Sequence, residues 1–258
     1  MNSIESVLKA AIPASTFAGE CPRHGTYQAA REKSLYWKEC PDCLALQAAS
    51  FKKDAEARDD ERRMIAIKNR KDASGIPERF IGKTFSTYEA KNAGQKAAFE
   101  FATEYAINLS LPEKSGRGAI FCGKPGTGKT HLAISIGLHA IDGGKSVFFV
   151  TVQRIMRSFK ESWRKDADYC ETDVINSLVT PDLLIIDEIG IQFGSEFEKN
   201  AMFDVLNTRY EKQKPTLMLS NLEPLEVKAF LGERVFDRLR EDGGKCIPFN
   251  WASHRGQA

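Results

Sequence analysis

The sequence predicts an α/β fold in which a central parallel sheet is flanked by helices, preceded by a small N-terminal module and a helical linker. Three observations predict it. Along the second half of the chain, short apolar runs of strand length alternate with helical patterns, as in βαβ units. One such run, Ala119-Ile120-Phe121-Cys122, opens directly into Gly123-Lys124-Pro125-Gly126-Thr127-Gly128-Lys129-Thr130 and then into a mainly apolar helix, His131 to Ala140. Another run, Leu183-Leu184-Ile185-Ile186, ends in two acids, Asp187-Glu188.

The whole-chain properties bound the reading. A length of 258 residues suits one α/β domain with an appendage. A content of 42% hydrophobic and 28% charged residues is that of a soluble globular protein. The net charge of +2 does not announce a nucleic-acid binder, so any such contact has to rest on local patches. No apolar run approaches transmembrane length. Residues Met1 to Glu20 carry Glu5 and lack a basic stretch ahead of a long apolar core, which argues against a signal peptide. The expectation is a cytoplasmic protein with no membrane partner. Of the six cysteines, Cys122, Cys170 and Cys246 are scattered, and three cluster beside a histidine. That distribution fits a reducing compartment and a metal rather than disulfides.

The N-terminal module, residues 1–50, contains that cluster. Cys21 and His24 are separated by two residues, fifteen residues follow, and Cys40 and Cys43 are again separated by two. Two ligand pairs, each chelating from a tight turn, are what tetrahedral zinc needs. Pro22 and Pro41 pre-set the turns, and Gly25 lets the chain fold back. Four protein ligands imply a structural Zn²⁺, whose binding supplies folding energy to a region with little core. Around the ligands, Arg23, Arg31, Lys33, Tyr36, Trp37 and Lys38 leave three readings open: a DNA contact, a protein contact, or a solvated loop. Leu44 to Lys71 has no Gly or Pro and mixes both charge signs, so it reads as a long, exposed helix. It serves either as a spacer, with residues 51–75 a charged linker, or as a partner-binding arm. Asp72 to Pro77 breaks it and marks the start of the main domain, 76–258.

Phe80, Phe85 and Tyr88 sit in a loop and either wall a base site or pack. Lys91 to Leu109 reads as an amphipathic helix. The run Gly123–Thr130 then fits the phosphate-loop pattern G-x-x-x-x-G-K-[ST], between a buried strand and a helix as the motif requires. Its glycines let main-chain amides approach an anion, and the helix N-terminus adds positive dipole. Lys129 supplies charge at the β/γ-phosphates, and the Thr130 hydroxyl is placed to ligate Mg²⁺. Ser146 to Thr151 reads as a buried parallel strand. The next helix, Val152 to Lys165, carries Arg154, Arg157, Lys160, Arg164 and Lys165 among Phe159 and Trp163. Cations interleaved with rings bind single-stranded nucleic acid, or else the rings are core and the cations a solvated face. At the C-terminal end of its strand, Asp187 would hold the Mg²⁺ shell and Glu188 would polarise the water attacking the γ-phosphate. A helix follows, Glu196 to Lys212. The strand Pro215 to Asn221 ends in an amide that either senses the γ-phosphate through that water or caps the helix near Pro224.

Phosphate loop, acidic strand end and strand-terminal Asn221 together resemble the AAA+ ATPases, and among them the DnaC/IstB group with its DnaC-type replicative helicase loaders. The resemblance covers residues 76–258 and is carried further by Leu183 to Gln192, by Leu231-Gly232-Glu233-Arg234-Val235-Phe236-Asp237-Arg238-Leu239-Arg240, and by the tail Phe249 to Arg255. It implies a P-loop NTPase core with Mg²⁺-dependent ATP hydrolysis to ADP and self-association through the ATPase domain. It also implies a hexameric replicative helicase and single-stranded DNA as partners. Arg238 resembles the finger that reaches a neighbour's γ-phosphate, with Arg234 and Arg240 close by; Arg255 resembles the second sensor acting within its own chain. The chain stops soon after Arg255, leaving no room for a separate helical lid, as in the loaders. The zinc module departs from the best-known bacterial loader, and chains of this kind occur in prophages. Two rival readings stand beside the loader: a transposition helper that binds duplex DNA, and an adaptor that binds nucleotide with little hydrolysis.

Overall fold

The computed structural model describes residues 16–30, 40–109, 117–190 and 196–254. The chain divides into two compact units, the first ending at Ile65 and the second beginning at Ala66. In the first unit, β1 (Thr16–Cys21) and β2 (Gly25–Ala30) pair antiparallel. The turn between them is Pro22-Arg23-His24, and Gly25 takes a φ of 74° there, a conformation that disfavours any residue with a Cβ. This hairpin was not foreseen: six-residue strands with a single apolar face give too weak a pattern.

Helix α1 (Pro41–Ala73) is longer at both ends than the sequence expectation. Proline at its first position loses no hydrogen bond, because that N–H has no helical partner anyway. Asp42 opens and Arg70 and Lys71 close it, matching the helix dipole at both ends. None of its residues is buried. The helix ends at Ser74-Gly75, where the Ser74 hydroxyl donates to the Lys71 carbonyl at 2.6 Å and Gly75 adopts a φ of 68°.

The second unit is built on a five-stranded parallel sheet, ordered β4-β5-β6-β3-β7. The strands are β3 (Ala119–Gly123), β4 (Val147–Thr151), β5 (Leu183–Ile189), β6 (Thr216–Ser220) and β7 (Lys245–Phe249). Helices α2 (Ala93–Leu109) and α3 (Lys129–Asp142) cover one face. The other carries α4 (Val152–Ser162), α5 (Glu171–Val179), α6 (Glu196–Glu211), α7 (Pro224–Leu231) and α8 (Glu233–Arg238). The strands alternate between these two cores. Ala119, Phe121, Leu183 and Ile185 face the first, while Ile120, Cys122, Leu184 and Ile186 face the second. Both faces are therefore apolar, which is why the strands read as unbroken hydrophobic runs.

One side chain ties the second layer together. Arg209 on α6 is fully buried. Its guanidinium donates to the carbonyls of Leu178, Val179, Pro181 and Pro215 and to the Thr216 hydroxyl at 2.6–3.2 Å. These groups close the turn between α5 and β5 and the start of β6. Burial lowers its pKa to about 10, so it stays charged at neutral pH.

Candidate functional site

The carboxyl ends of β3, β5 and β6 converge, and the chemistry-bearing residues collect there, as expected for an open α/β sheet. At the end of β3 the loop turns on three glycines with positive φ: Gly123 at 113°, Gly126 at 75° and Gly128 at 99°. Each relieves strain that a side chain would introduce. The loop is pinned from both neighbouring strands. Gly123 N–H donates to the Leu222 carbonyl at 2.9 Å beyond β6, and Lys124 N–H donates to the Phe249 carbonyl at 3.1 Å at the end of β7. The C-terminal tail then closes over it. Trp251 Nε1 donates to the Thr127 carbonyl at 2.9 Å, and the His254 N–H donates to the Gly126 carbonyl at 2.9 Å. His254 Nε2 also lies 2.7 Å from the Gln95 amide nitrogen on α2. Arg255 lies outside the described residues; the residue before it is held to the phosphate loop.

Lys129 and Thr130 begin α3. The Lys129 stem is buried, and its ammonium donates to the carbonyls of Gly123 and Lys124 at 2.6 and 2.7 Å. The Thr130 hydroxyl donates to Asp187 Oδ2 at 3.1 Å, joining the two Mg²⁺ ligands that the sequence suggested. Burial pushes the Asp187 pKa up, opposed by the Glu188 N–H, the Thr130 hydroxyl and the Lys129 charge. A desolvated carboxylate beside a hydroxyl is a donor set for a hard divalent cation, whose charge offsets that desolvation. Thr130 and Asp187 therefore fit Mg²⁺.

Glu188 has a φ of 64°, and the β5–β6 register breaks between Ile186 and Ile189. Such a bulge re-aims a side chain. Here the break lets two successive acids both line one cavity of about 460 Å³, instead of pointing to opposite faces of the sheet. The cavity is also lined by Phe80, Lys83, Gly128, Lys129, Thr130, His131 and Asn221. Asn221 stands one residue beyond β6, and Glu223, not Asn221, occupies the N-cap of α7. That removes the capping alternative for Asn221. β6 lies between β3 and β5, so a strand separates the phosphate loop from the acids.

All three aromatics of the loop, Phe80, Phe85 and Tyr88, pack on the core, and Phe80 lines the cavity as well. Tyr88 stacks on Phe99 with ring centroids 5.8 Å apart and meets His131 edge-on at 5.2 Å. A Cβ on Gly128 would come within 2.9 Å of the Tyr88 ring, so tyrosine and glycine fit each other here. Burial raises the Tyr88 pKa to about 12. It lowers the pKa of His131, whose Nε2 lies 2.9 Å from the Thr84 carbonyl.

Arg238 stands elsewhere. It ends α8, beside Asn207, Tyr210, Thr216 and Gly118, at the edge where β3 and β6 begin. A five-residue strand spans about 16 Å. Arg238 therefore lies beyond side-chain reach of its own phosphate loop. Arg234 and Arg240 are exposed. Helix α4 ends at Ser162, short of the expected Lys165; Phe159 on it is buried, while Trp163, its C-cap, is 51% exposed and packs edge-on against Phe197 at 4.6 Å. The cations Arg154, Arg157, Lys160, Arg164 and Lys165 are all exposed.

In the first unit, Cys21, His24, Cys40 and Cys43 bring their ligand atoms within 4.8 Å of one another. Four separations between them run from 3.4 to 3.7 Å. A tetrahedron with Zn–S near 2.3 Å and Zn–N near 2.05 Å has edges of about 3.5–3.8 Å. The four residues therefore fit zinc. The backbone N–H groups of Arg23 and His24 lower the Cys21 thiol to about 6, and the Cys21 sulfur beside it raises Cys43 to about 11. Arg31, Lys33, Tyr36, Trp37 and Lys38 lie outside the described residues.

A parallel sheet with a phosphate loop on one strand and paired acids two strands away defines an AAA+ nucleotide-binding protein, and residues 79–240 match the family of IstB-like ATP binding proteins. The chain belongs to that IstB/DnaC family. It is 40% identical over 182 residues, 70% of this chain and 73% of the relative, to the replicative helicase loader DnaC of Buchnera aphidicola subsp. Baizongia pistaciae (strain Bp). It is 35% identical over 223 residues, 86% of this chain and 89% of the relative, to the replicative helicase loader DnaC of Escherichia coli (strain K12). A crystal structure of the DnaC helicase loader superposes with a TM-score of 0.58 at 22% identity, over 67% of this chain and 99% of that one.

Signals for the remaining functional groups were thin in the sequence. Trp251 and His254 touch the phosphate loop from more than 120 residues away, which no local pattern reveals. Helix α5 falls between two recognised elements, and at nine residues its apolar positions Val174, Ile175, Leu178 and Val179 span too few turns to show a helical period.

Proposed function

We propose that this chain is an ATP-hydrolysing loader that delivers a replicative DNA helicase onto single-stranded DNA in the cytoplasm. The observation that carries the reading is the joining of Thr130 to Asp187 at the mouth of the phosphate loop, with Glu188 and Asn221 lining the same cavity. The 35–40% identity to proteins named as DnaC loaders supports the biological role over the transposition helper.

In the proposed chemistry the amides of Gly126 to Lys129 hold the phosphates, with the Lys129 charge beside them. Bound Mg²⁺ would neutralise charge on the β- and γ-phosphates, with Thr130 and Asp187 as its protein ligands. Glu188 orients the attacking water and takes its proton; Asn221 holds that water in line. Arg238 of one copy serves the γ-phosphate of the next, so hydrolysis depends on self-association. Arg255, at the end of the tail that His254 anchors, serves the phosphates within its own chain. The exposed cations Arg154, Arg157 and Lys160 of α4 and Arg164 and Lys165 just beyond it, with Trp163, form the track for single-stranded DNA, phosphates on the cations and a base on the ring. Residues 1–50, held by zinc, and the linker 51–75 engage the helicase, leaving 76–258 as the ATPase domain.

The test uses the zinc-loaded full chain. It is expected to co-purify with the replicative helicase of its host and to transfer it to single-stranded DNA when ATP is present. Glu188→Gln should still bind ATP but fall at least about 100-fold in turnover, by loss of the base. Retention of duplex DNA with no helicase capture would favour the transposition helper. Unchanged turnover in Glu188→Gln would favour the adaptor.

A further inference from the structure

We propose that Asn207 and Tyr210 on α6 position the Arg238 guanidinium for the γ-phosphate held by a second copy of this chain. The inference rests on the reading of Arg238 as an arginine that acts in trans, and it deepens that reading.

The geometry is a small network with Arg238 at its centre. Arg238 Nη1 donates to Asn207 Oδ1. The guanidinium carbon lies 4.8 Å from the centroid of the Tyr210 ring. Residues 207 and 210 are three apart on one helix, so both side chains stand on the same face. Each is fixed by a further carboxylate. Asn207 Nδ2 donates to Glu211 Oε1 at 2.7 Å, which turns the amide so that its oxygen faces the guanidinium. Tyr210 OH donates to Glu241 Oε2 at 2.5 Å, which sets the plane of the ring. The acceptor takes one N–H of the fork and the ring covers one face, leaving the other N–H groups for a phosphate. Among the described residues no carboxylate pairs with Arg238, so its charge is available to a partner anion. Arg240 leans on Phe236 at 5.4 Å, and Arg234 is exposed.

The physical consequence is preorganisation. An unsupported arginine has many rotamers, and ordering it at the moment of reaction lowers the rate. Asn207 and Tyr210 are positioning residues in this arrangement: they touch Arg238 and not the nucleotide. Their loss therefore lowers turnover without changing nucleotide affinity.

Mixing subunits tests this. A Lys129→Ala copy holds no nucleotide but keeps Arg238; an Arg238→Ala copy holds nucleotide but lacks the guanidinium. Neither should hydrolyse ATP alone, and an equimolar mixture should recover turnover. Adding Tyr210→Ala or Asn207→Ala to the Lys129→Ala copy is expected to cut the recovered kcat about tenfold, the scale of a lost cation–π or charge-assisted contact. The KM for ATP should stay the same, because the nucleotide site is on the other copy. Tyr210→Phe in the same copy keeps the ring face and should restore most of the kcat, which a general folding defect would not allow. Full complementation by both alanine variants, or a rise in kcat, overturns the positioning role while leaving Arg238 in trans intact. No recovery in the unaltered mixture overturns Arg238 in trans and the positioning role with it.

Discussion

Replacing Gly123 by alanine tests whether the loop is shaped by its fit against β7 or merely by glycine content. An added Cβ would lie 2.7 Å from the Phe249 carbonyl oxygen, 3.0 Å from its carbon and 3.1 Å from its nitrogen. These are backbone atoms of Phe249, a fully buried residue at the end of edge strand β7 whose carbonyl accepts from Lys124, so they cannot swing aside. Gly123 also has a φ of 113°, where L residues are strained. Gly144 is the control: its φ is 86°, and an added Cβ would meet nothing within 4 Å. The strain common to both sites costs about 1–2 kcal/mol. The collision at Gly123 adds about 1–3 kcal/mol, the range for overpacking a tight interior. For a unit of this size, each kcal/mol lowers the melting temperature by about 2–4 °C. Gly144→Ala should therefore melt about 2–8 °C below the parent, and Gly123→Ala about 4–20 °C below it. Relief of the collision pushes the loop away from β7, so Gly123→Ala should also bind a fluorescent ATP analogue at least about tenfold more weakly, while Gly144→Ala binds normally. Scanning calorimetry and fluorescence titration read the two effects. Equal melting shifts in the two variants, or parental nucleotide affinity in Gly123→Ala, would refute the reasoning.

Arg209→Met keeps the bulk of a buried side chain but leaves five or more acceptors without their donor. A loss of about 3–5 kcal/mol is expected in urea unfolding, and a loss below about 1 kcal/mol would show that water replaces the guanidinium. His131 supplies a pH dependence. Its folded pKa is below the ordinary 6.5, so as pH falls through 6.5 the unfolded chain takes up a proton that the folded chain does not, and stability declines. The decline continues until the folded pKa is reached. The drop in melting temperature between pH 7.5 and 5.5 should be smaller in His131→Gln, and an identical drop would sink the assignment. Metal analysis of the reduced protein should find about one zinc per chain, and chelation should free the thiols of Cys21, Cys40 and Cys43 to a thiol reagent. Labelling of Cys21, Cys40 and Cys43 themselves before chelation, beyond the exposed Cys170, would remove the zinc centre.

The parts of this protein that were legible in the sequence are those whose chemistry is local. A phosphate loop needs its glycines, lysine and threonine within eight consecutive residues, because one turn of backbone does the binding. Gly123 to Thr130 was readable for that reason. The acids Asp187 and Glu188 were readable because a doubly covered strand is an apolar run and its end is marked by charge. The Cys/His cluster that could hold zinc was readable because chelation from tight turns would impose short spacings on Cys21 and His24, and on Cys40 and Cys43.

Tertiary structure decided what depends on residues brought together from far apart. It put β6 between β3 and β5, and it broke the register at Glu188 so that both acids face the cavity. It packed Phe80, Phe85 and Tyr88 on the core and brought Phe80, of the three, to the cavity wall as well, which similar aromatics in one loop could not announce. It also laid Trp251 and His254 over the phosphate loop and set Arg238 against α6, away from its own nucleotide site. The physical reason is the same in each case. Local spacing encodes contacts made along one stretch of backbone, whereas which strand lies beside which, and what a side chain meets across the sheet, follows from burying both apolar faces at once.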